Sequence, residues 1–193
     1  MHDPIIREAL HKKVLKKHHQ DKNTIVVDEF GLDHGSIRAD IAVLNGVLHG
    51  YEIKSCADSL NRLPSQEKLY SAVFDKVTLV VSEKHLSEAI KIIPEWWGIH
   101  LVYTGKNGGI YFRSFRRGVL NKLVDPEYLA RLLWRSEALD LLKKYEVKGS
   151  ILRSSRHYLY EEISKLCNLP EIKQFVLDSI KSRECWRGHL QLS

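Results

Sequence analysis

The sequence predicts an α/β fold in which a mixed β-sheet is flanked by helices. Short β-branched runs of strand length alternate with segments whose apolar residues recur at helical spacing. An Asn-Gly pair between two strand-like runs indicates an antiparallel hairpin, and the all-apolar run VTLVVS indicates a buried central strand. With 193 residues, of which 44% are hydrophobic and 28% charged, the chain is long enough for one domain with a buried core.

The first half of the chain predicts one helix followed by three strands. Asp3 can cap a helix over residues 4–19, and Pro4 suits the first turn of that helix. The strong hairpin signal is centred on Asn45 and Gly46. The three strands are predicted over residues 24–30, 37–44 and 47–55.

The second half predicts a crossover and then a helical tail. A helix over residues 64–74 leads into the VTLVVS strand, and Pro94 ends a second helix that begins at Ser82. The predicted order is therefore α-β-β-β-α-β-α-β-β, in which an antiparallel hairpin leads into a parallel unit. The strands are predicted over residues 77–82, 99–104 and 110–115, and the tail helices over residues 126–145, 151–167 and 170–186.

The surplus of positive over negative charge lies in the C-terminal part of the chain. Residues 1–112 carry 14 Lys and Arg against 14 Asp and Glu, whereas residues 113–193 carry 16 against 10. We therefore predict a core over residues 1–118 and a basic helical segment over residues 119–193. A basic surplus in one segment suits a polyanionic partner, although a merely well-solvated helical surface explains the charge equally well.

Two further features of the sequence bear on its cellular setting. No apolar run approaches the roughly 18–20 residues needed to cross a bilayer. The N-terminus also lacks the uninterrupted apolar core of a signal peptide. We therefore expect a cytoplasmic protein that does not contact membranes. Cys56, Cys167 and Cys185 are scattered and odd in number, which indicates reduced cysteines rather than a disulfide framework.

Three charged residues interrupt the two hairpin strands. Asp40 lies in the first strand, and Glu52 and Lys54 share one face of the second because side chains alternate with period 2. Two carboxylates and an ammonium on one hairpin are costly unless they bind something together. Carboxylates bind Mg²⁺ or Mn²⁺, such a metal activates water for phosphodiester hydrolysis, and a lysine can orient that water.

A shared metal requires Asp40 and Glu52 to lie opposite each other on one face of the sheet. That register leaves a three-residue loop of Asn45, Gly46 and Val47 between the strands. The Asn-Gly pair alone favours a two-residue turn, and a shift of one residue would send Glu52 to the other face. We expect a longer loop or a β-bulge that restores the functional register.

The spacing of Asp40, Glu52 and Lys54 resembles the D…(D/E)XK signature of the PD-(D/E)XK, or restriction-endonuclease-like, nucleases. Ala39 stands where the usual proline would be. The resemblance covers residues 5–115, and it extends to a little-characterised group of bacterial and phage proteins within that superfamily. It implies a restriction-endonuclease-like sheet and a nuclease that depends on Mg²⁺ or Mn²⁺.

The resemblance also implies roles for residues on two helices. Gln66 and Tyr70 match the QxxxY motif of the RecB-like branch and would support the lysine or the DNA strand. Glu8 matches the acidic residue of the first helix that often completes the metal site. The implied catalytic residues are Asp40, Glu52, Lys54, Gln66 and Tyr70, and the implied metal ligands are Glu8, Asp40 and Glu52.

The expected partner is nucleic acid, most readily DNA, held by arginines. Arg38 lies near Asp40 on the same strand and suits a phosphate contact or an ordinary salt bridge. The basic run after the last strand and the mixture of arginine and tyrosine in the tail suit backbone and base contacts, while core packing explains the apolar tail positions equally well. The candidate contacts are Arg38, Arg113, Arg116, Arg117, Arg153 and Arg156.

Two alternatives to a nuclease remain open from the sequence. In the first, the hairpin has an exposed polar face on which Glu52 and Lys54 are simple surface residues. In the second, the same fold binds nucleic acid or a partner protein without cutting. The intact set of Asp40, Glu52 and Lys54 favours the enzyme over the binding module.

Overall fold

Six strands form one mixed sheet in the computed structural model, which describes residues 2–183. The strands are β1 (Ile25–Leu32), β2 (Ile37–Leu44), β3 (Leu48–Lys54), β4 (Lys76–Ser82), β5 (Gly98–Thr104) and β6 (Ile110–Arg116). They lie side by side in the order of the sequence. Strands β3, β4 and β5 run parallel, and the other neighbours are antiparallel. The predicted α/β class and mixed sheet are confirmed.

Helices cover both faces of this sheet. The described helices are α1 (Asp3–Lys13), α2 (Lys16–Gln20), α3 (Leu63–Val73), α4 (Glu83–Ile92), α5 (Pro126–Ala130), α6 (Arg135–Lys144), α7 (Arg156–Leu166) and α8 (Leu169–Ser182). The predicted order of elements is confirmed, except that two of the predicted helices are each divided in two. Within residues 2–183, no helix combines the length and apolar character that crossing a membrane requires.

The helix predicted over residues 4–19 is divided at Leu15. The amide N–H of Leu15 donates to the carbonyl oxygen of Leu10, five residues back, which widens the turn between α1 and α2. The side chain of Leu15 is thereby fully buried in the core. Core packing therefore overrides a helical pattern that neither proline nor glycine interrupts.

The helix predicted over residues 126–145 is divided at Trp134. This residue has extended backbone angles, and its amide N–H donates to Glu137 Oε2 at 2.6 Å, so that Glu137 caps the start of α6. The tail helix predicted over residues 151–167 begins later than expected, because Ser155 caps α7 at its start. The end of the last predicted helix, with Cys185, lies outside the described residues.

The two faces of the sheet bury separate sets of apolar side chains. One face packs against Ile6 and Leu10 of α1. The other packs against α3, α4 and the tail helices, so that the chain beyond residue 118 shares a core with the sheet. The Lys173 ammonium on α8 lies 2.7 Å from Asp75 Oδ2, and the same oxygen accepts from the amide of Leu48 at the start of β3. The tail is thus bound directly to the hairpin.

The hairpin has the register that a shared metal requires. Leu44 pairs with Leu48, which leaves Asn45, Gly46 and Val47 as a three-residue loop. The loop is closed by the amide of Asn45, which donates to the carbonyl oxygen of Val47, and Gly46 takes a φ of 90° that favours glycine. The expected longer loop is confirmed, and the tight two-residue turn that the Asn-Gly pair favours does not form.

Gly50 offers a test of the packing between β3 and α3. A Cβ atom at this position would stand 2.6 Å from the ring of Phe74, which is fully buried just after α3. We expect Gly50→Ala to lower the free energy of unfolding by about 1–3 kcal/mol, the usual effect of overpacking. Urea denaturation measures it. Gly31→Ala is the matched control, since its Cβ has ordinary contacts of 3.6 Å, and an equal loss in both variants would contradict the expectation.

Candidate functional site

A cleft opens where strands β2 and β3 separate. Their last ladder pair joins Ile41 to Tyr51, so that residues 37–40 and 52–54 have no ladder pairing with each other. The cleft has a volume of about 430 Å³ and is bordered by the starts of α1 and α3. Of the residues predicted from the sequence, those that line it are Arg38, Asp40, Glu52, Lys54 and Gln66.

The alternation of side chains is interrupted in β1 and β2 beside this cleft. In β2, Ala39 and Ala42 belong to the same core cluster, although a regular strand would send them to opposite faces. In β1, Glu29 has a φ of 52°, in the left-handed region that such residues rarely adopt. No ladder pair joins Glu29 to Asp40, whereas the positions on either side are paired. Both carboxylates line the cleft at this break.

Glu52 is a buried carboxylate, 2% exposed, and both of its oxygens accept hydrogen bonds. Lys54 Nζ and Gln66 Nε2 donate to Oε1 at 2.6 and 2.7 Å, and the Tyr70 hydroxyl donates to Oε2 at 2.5 Å. Burial and the charge of Glu52 raise the pKa of Tyr70 far above its ordinary value, so that its hydroxyl stays a neutral donor. Gln66 and Tyr70, expected to support the lysine or the DNA strand, both donate to Glu52, the partner of Lys54.

Lys54 is as deeply placed as its partner, with 3% of its surface exposed. Its ammonium and the Glu52 carboxylate point to the same side of β3, as the period-2 spacing predicted. The alternative in which Glu52 and Lys54 are simple surface residues is therefore wrong. A buried ion pair is weak evidence for stability, because desolvation offsets most of its attraction. A role in function therefore explains the buried Glu52–Lys54 pair better than a contribution to stability does.

Asp40 lies at the opening between the two strands. The amide of Ile53 donates to Oδ2 at 2.6 Å, and Arg7 donates to Oδ1 at 3.1 Å and to the main-chain oxygen of Asp40 at 2.6 Å. Despite these bonds, burial and the neighbouring charge of Glu52 raise the pKa of Asp40 to about 7. These bonds therefore do not fully offset the cost of burying the charged form of Asp40 next to Glu52.

Arg7, rather than Glu8, reaches the cleft from α1. Glu8 was expected as a third metal ligand, but its side chain is 64% exposed and pairs with Lys12 at 2.5 Å along the outer surface of the helix. Neighbouring helical residues point about 100° apart, so only one of the two can face the sheet. The burial of Ile6 and Leu10 identifies the inward side, and Arg7 lies next to it. Glu8, predicted from the resemblance as a metal ligand, therefore does not line the cleft.

The arginines proposed to contact nucleic acid lie in two places. Arg38 is exposed at the cleft, together with Arg62, which the sequence prediction missed. Arg113, Arg116 and Arg117, in contrast, belong to β6 and its end, three strands from β3 and therefore about 14 Å away. None of these three lines the cleft.

Arg116 has a structural task that the sequence did not indicate. Its guanidinium donates to the carbonyl oxygens of Trp97 at 2.7 Å and Pro94 at 2.9 Å. These carbonyls belong to the connection between α4 and β5. We therefore assign Arg116 to the support of this connection, which engages two of its five N–H donors.

The tail approaches the cleft through the short segment between β1 and β2. Arg131 donates to Asp33 Oδ1 at 2.9 Å, and the ring of His34 lies 5.6 Å from that of Tyr160. Gly35, next in sequence, lines the cleft. Arg153 and Arg156 are exposed before and at the start of α7. Neither of these two arginines lines the cleft.

The donor set fits a small divalent cation. Asp40 and Glu52 supply hard oxygen ligands, and the amide oxygen of Gln66 is buried without a hydrogen-bond partner on the same cleft wall. Mg²⁺ is commonly held by one or two carboxylates, with water and substrate phosphates as its remaining ligands. Among residues 2–183, no group of three or more Asp, Glu, His or Cys side chains is arranged to hold a metal ion. With the side chains where the structure places them, the fit is therefore to a site with two carboxylates.

Comparison with known proteins gives a family and a distant structural likeness. The profile of the family described as bacteriophage P4 protein cII matches residues 2–188. Protein cII of Enterobacteria phage P4 is 35% identical over 159 residues, which cover 82% of this chain and 59% of that protein. This chain thus spans about three fifths of the length of that relative. The SPO1766 protein of unknown function from Silicibacter pomeroyi matches 75% of this chain and 92% of its own, at 16% identity and a TM-score of 0.40.

The hydrogen bonds of Glu52 predict how its removal affects the metal-free protein. Glu52→Ala leaves the Lys54 ammonium and the Gln66 amide nitrogen buried without this acceptor, while the Tyr70 hydroxyl keeps the carbonyl oxygen of Arg38 at 3.0 Å. We expect a loss of about 3–5 kcal/mol in the free energy of unfolding, as is typical when one partner of a buried ion pair is removed. Urea denaturation in the presence of a chelator measures it. The exposed Glu8→Ala is the control and should leave stability unchanged, while an equally neutral Glu52→Ala would contradict the buried network.

The pKa of Asp40 predicts a pH dependence of stability. In the folded protein it is raised to about 7 from an ordinary value of 3.8, so the folded state keeps a proton that the unfolded state loses. The free energy of unfolding of the metal-free protein should therefore fall as the pH rises from about 4 to about 7, by up to about 1.4 kcal/mol per pH unit. Asp40→Asn should lack this contribution. If the free energy of unfolding depended on pH in the same way in the unaltered chain and in Asp40→Asn, the pKa of Asp40 would not be raised.

Proposed function

The chain belongs to the bacteriophage P4 protein cII family, and for it we propose a metal-dependent nuclease that hydrolyses phosphodiester bonds, with DNA as the substrate class. One observation carries the proposal: Asp40, Glu52 and Lys54 converge in a single cleft, and Glu52 is held there by the ion pair with Lys54 and by the bonds from Gln66 and Tyr70. Their spacing is the one that resembles the PD-(D/E)XK signature. Two carboxylates and a lysine are residue types that metal-dependent phosphodiester hydrolysis can use.

Asp40 and Glu52 are the residues that would hold the metal, whose chemistry is to activate a water molecule and neutralise charge on the phosphate. Lys54 supplies a fixed positive charge 2.6 Å from Glu52, in a position to stabilise the additional negative charge of the transition state. Gln66 and Tyr70 fix the orientation of the Glu52 carboxylate, so that little reorganisation is needed when substrate binds. Burial strengthens each of these interactions.

Substrate is held by positive side chains around the cleft in this proposal. Arg38 and Arg62 are exposed at the cleft and can pair with backbone phosphates on either side of the scissile bond. Arg153 and Arg156, exposed near the start of α7, are further residues proposed to contact the strand. Such contacts position a strand without reading its sequence, and their strength falls as salt rises.

A second function, binding without cleavage, is supported by a different observation. Every carboxylate oxygen of Asp40 and Glu52 already accepts a hydrogen bond from within the chain, so these two side chains form a hydrogen-bonded network with the protein in the absence of a metal. A module that binds nucleic acid or a partner protein could keep such a network for its shape alone. Cleavage and its dependence on a divalent metal separate the two functions.

The nuclease proposal is tested with the full chain and end-labelled single- and double-stranded DNA, in Mg²⁺, in Mn²⁺ and in a chelator. We expect metal-dependent cleavage that falls at least about 100-fold in Lys54→Met, the usual scale for loss of a group that assists proton transfer or charge stabilisation. Lys12→Met changes an exposed lysine of α1 outside the cleft and is the matched control.

Three outcomes distinguish the possibilities. Cleavage that Lys54→Met and Asp40→Asn abolish, and Lys12→Met retains, supports the nuclease. Cleavage that survives in both cleft variants contradicts it. DNA that binds equally well in metal and chelator, and stays intact in both, favours the binding module instead.

A further inference from the structure

Arg7 stands among three carboxylates at the mouth of the cleft. Its Nε lies 3.2 Å from Asp3 Oδ1, and its Nη2 lies 2.9 Å from Glu29 Oε1 and 3.1 Å from Asp40 Oδ1. All four residues line the cleft. Only 17% of the Arg7 side chain is exposed, so the guanidinium is largely withdrawn from solvent. A cation of the chain itself thus occupies the point where three acidic side chains meet.

The arrangement is unbalanced in charge. One guanidinium faces three carboxylates, and Glu52, paired with Lys54, adds its own field to Asp40. Carboxylates gathered around a single positive charge repel each other, and a second positive charge would reduce that repulsion. A divalent ion in place of the guanidinium would supply it, and hard carboxylate oxygens are its preferred ligands.

A separate observation at the same cleft concerns a buried hydrogen-bond acceptor. The side chain of Gln66 is 6% exposed, and its amide oxygen has no hydrogen-bond partner among the described residues. The amide nitrogen of Gln66 is engaged with Glu52, which leaves the oxygen free to accept. A buried acceptor without a donor is costly. A hydrated cation in the cleft would satisfy it through a bound water.

Glu29 is placed to serve such an ion. Its backbone holds a left-handed φ of 52°, at the break where β1 and β2 lose their regular pairing. Its side chain is 53% exposed and can follow a smaller ion inward once the guanidinium has left. Mg²⁺ binds oxygen at 2.0–2.1 Å, whereas the bonds to Arg7 are close to 3 Å, so Glu29 and Asp40 would move closer together to share a metal.

We propose that Glu29 is the third carboxylate of the metal site and that Arg7 is its internal counter-cation, replaced at Asp40 when a divalent ion binds. The inference rests on the proposed function, because it assumes that Asp40 binds metal. It assigns to Glu29 the role that the sequence resemblance gave to Glu8. Arg7 then sets the affinity of the site, since metal must compete with the guanidinium for Asp40.

Calorimetric titration of the full chain with Mn²⁺ alone, without DNA, tests the assignment. We expect Glu29→Gln to weaken Mn²⁺ binding about tenfold and Arg7→Gln to strengthen it about tenfold, the usual scale for coupled binding events. Glu8→Gln, on the same helix as Arg7 but turned to solvent, should bind Mn²⁺ as the unaltered chain does. Arg7→Lys keeps the positive charge with fewer donors and should give a smaller gain, which keeps the test available if Arg7→Gln does not fold.

The outcomes separate this inference from the proposed function. Mn²⁺ binding that Asp40→Asn abolishes and Glu29→Gln leaves unchanged overturns the assignment of Glu29 while the metal site survives. A loss in Glu8→Gln instead would restore the role that the resemblance implied and would also overturn the assignment. Unchanged affinity in both Arg7 variants overturns the role of Arg7. An unaltered chain that binds no Mn²⁺ removes the metal-dependent function itself.

Discussion

The rest of the site depends on the hydrogen bonds of the Glu52 carboxylate, which is enclosed between β3 and α3. Its position requires three donors, and each comes from an element that must be correctly placed: Lys54 from the same strand, Gln66 and Tyr70 from the following helix. The sheet, the crossover helix and the cleft are therefore mutually dependent. An error in any of them would leave buried polar groups without partners, which few proteins can sustain.

Most of the fold and the centre of the site could be predicted because their signals are local. Strand and helix periodicity gave the order of the elements, and the charged positions within apolar strands identified Asp40, Glu52 and Lys54. The hairpin register was predicted by setting the requirement for a shared face above the Asn-Gly turn preference, and Leu44 indeed pairs with Leu48. A long-range requirement outweighed a local propensity at this position.

The surroundings of the site were less accessible, since they depend on contacts between residues distant in sequence. Arg7 reaches the cleft and Glu8 does not because of the side of α1 that faces the sheet. Neighbouring helical residues point about 100° apart, so an error of one residue in the predicted orientation of the helix exchanges the two. The break in strand pairing at Glu29 is not indicated by the sequence, because this position with a left-handed φ is not a glycine. Arg116 reads as a nucleic-acid contact in the sequence, yet its guanidinium is bonded to two backbone carbonyls.

The absence of a side chain at Gly50 has a consequence for α3 as a rigid body. Gln66, Tyr70 and Phe74 follow one another at intervals of four and form one longitudinal stripe. Because the ring of Phe74 packs directly on Gly50, the C-terminal end of this row of side chains is held in a fixed position against β3. A roll of the helix by 20° would displace side-chain tips by roughly 2 Å. Gly50 thus fixes the rotation of α3 about its own axis. This rotation sets the direction of the donors Gln66 and Tyr70, which lie more than one helical turn from Phe74.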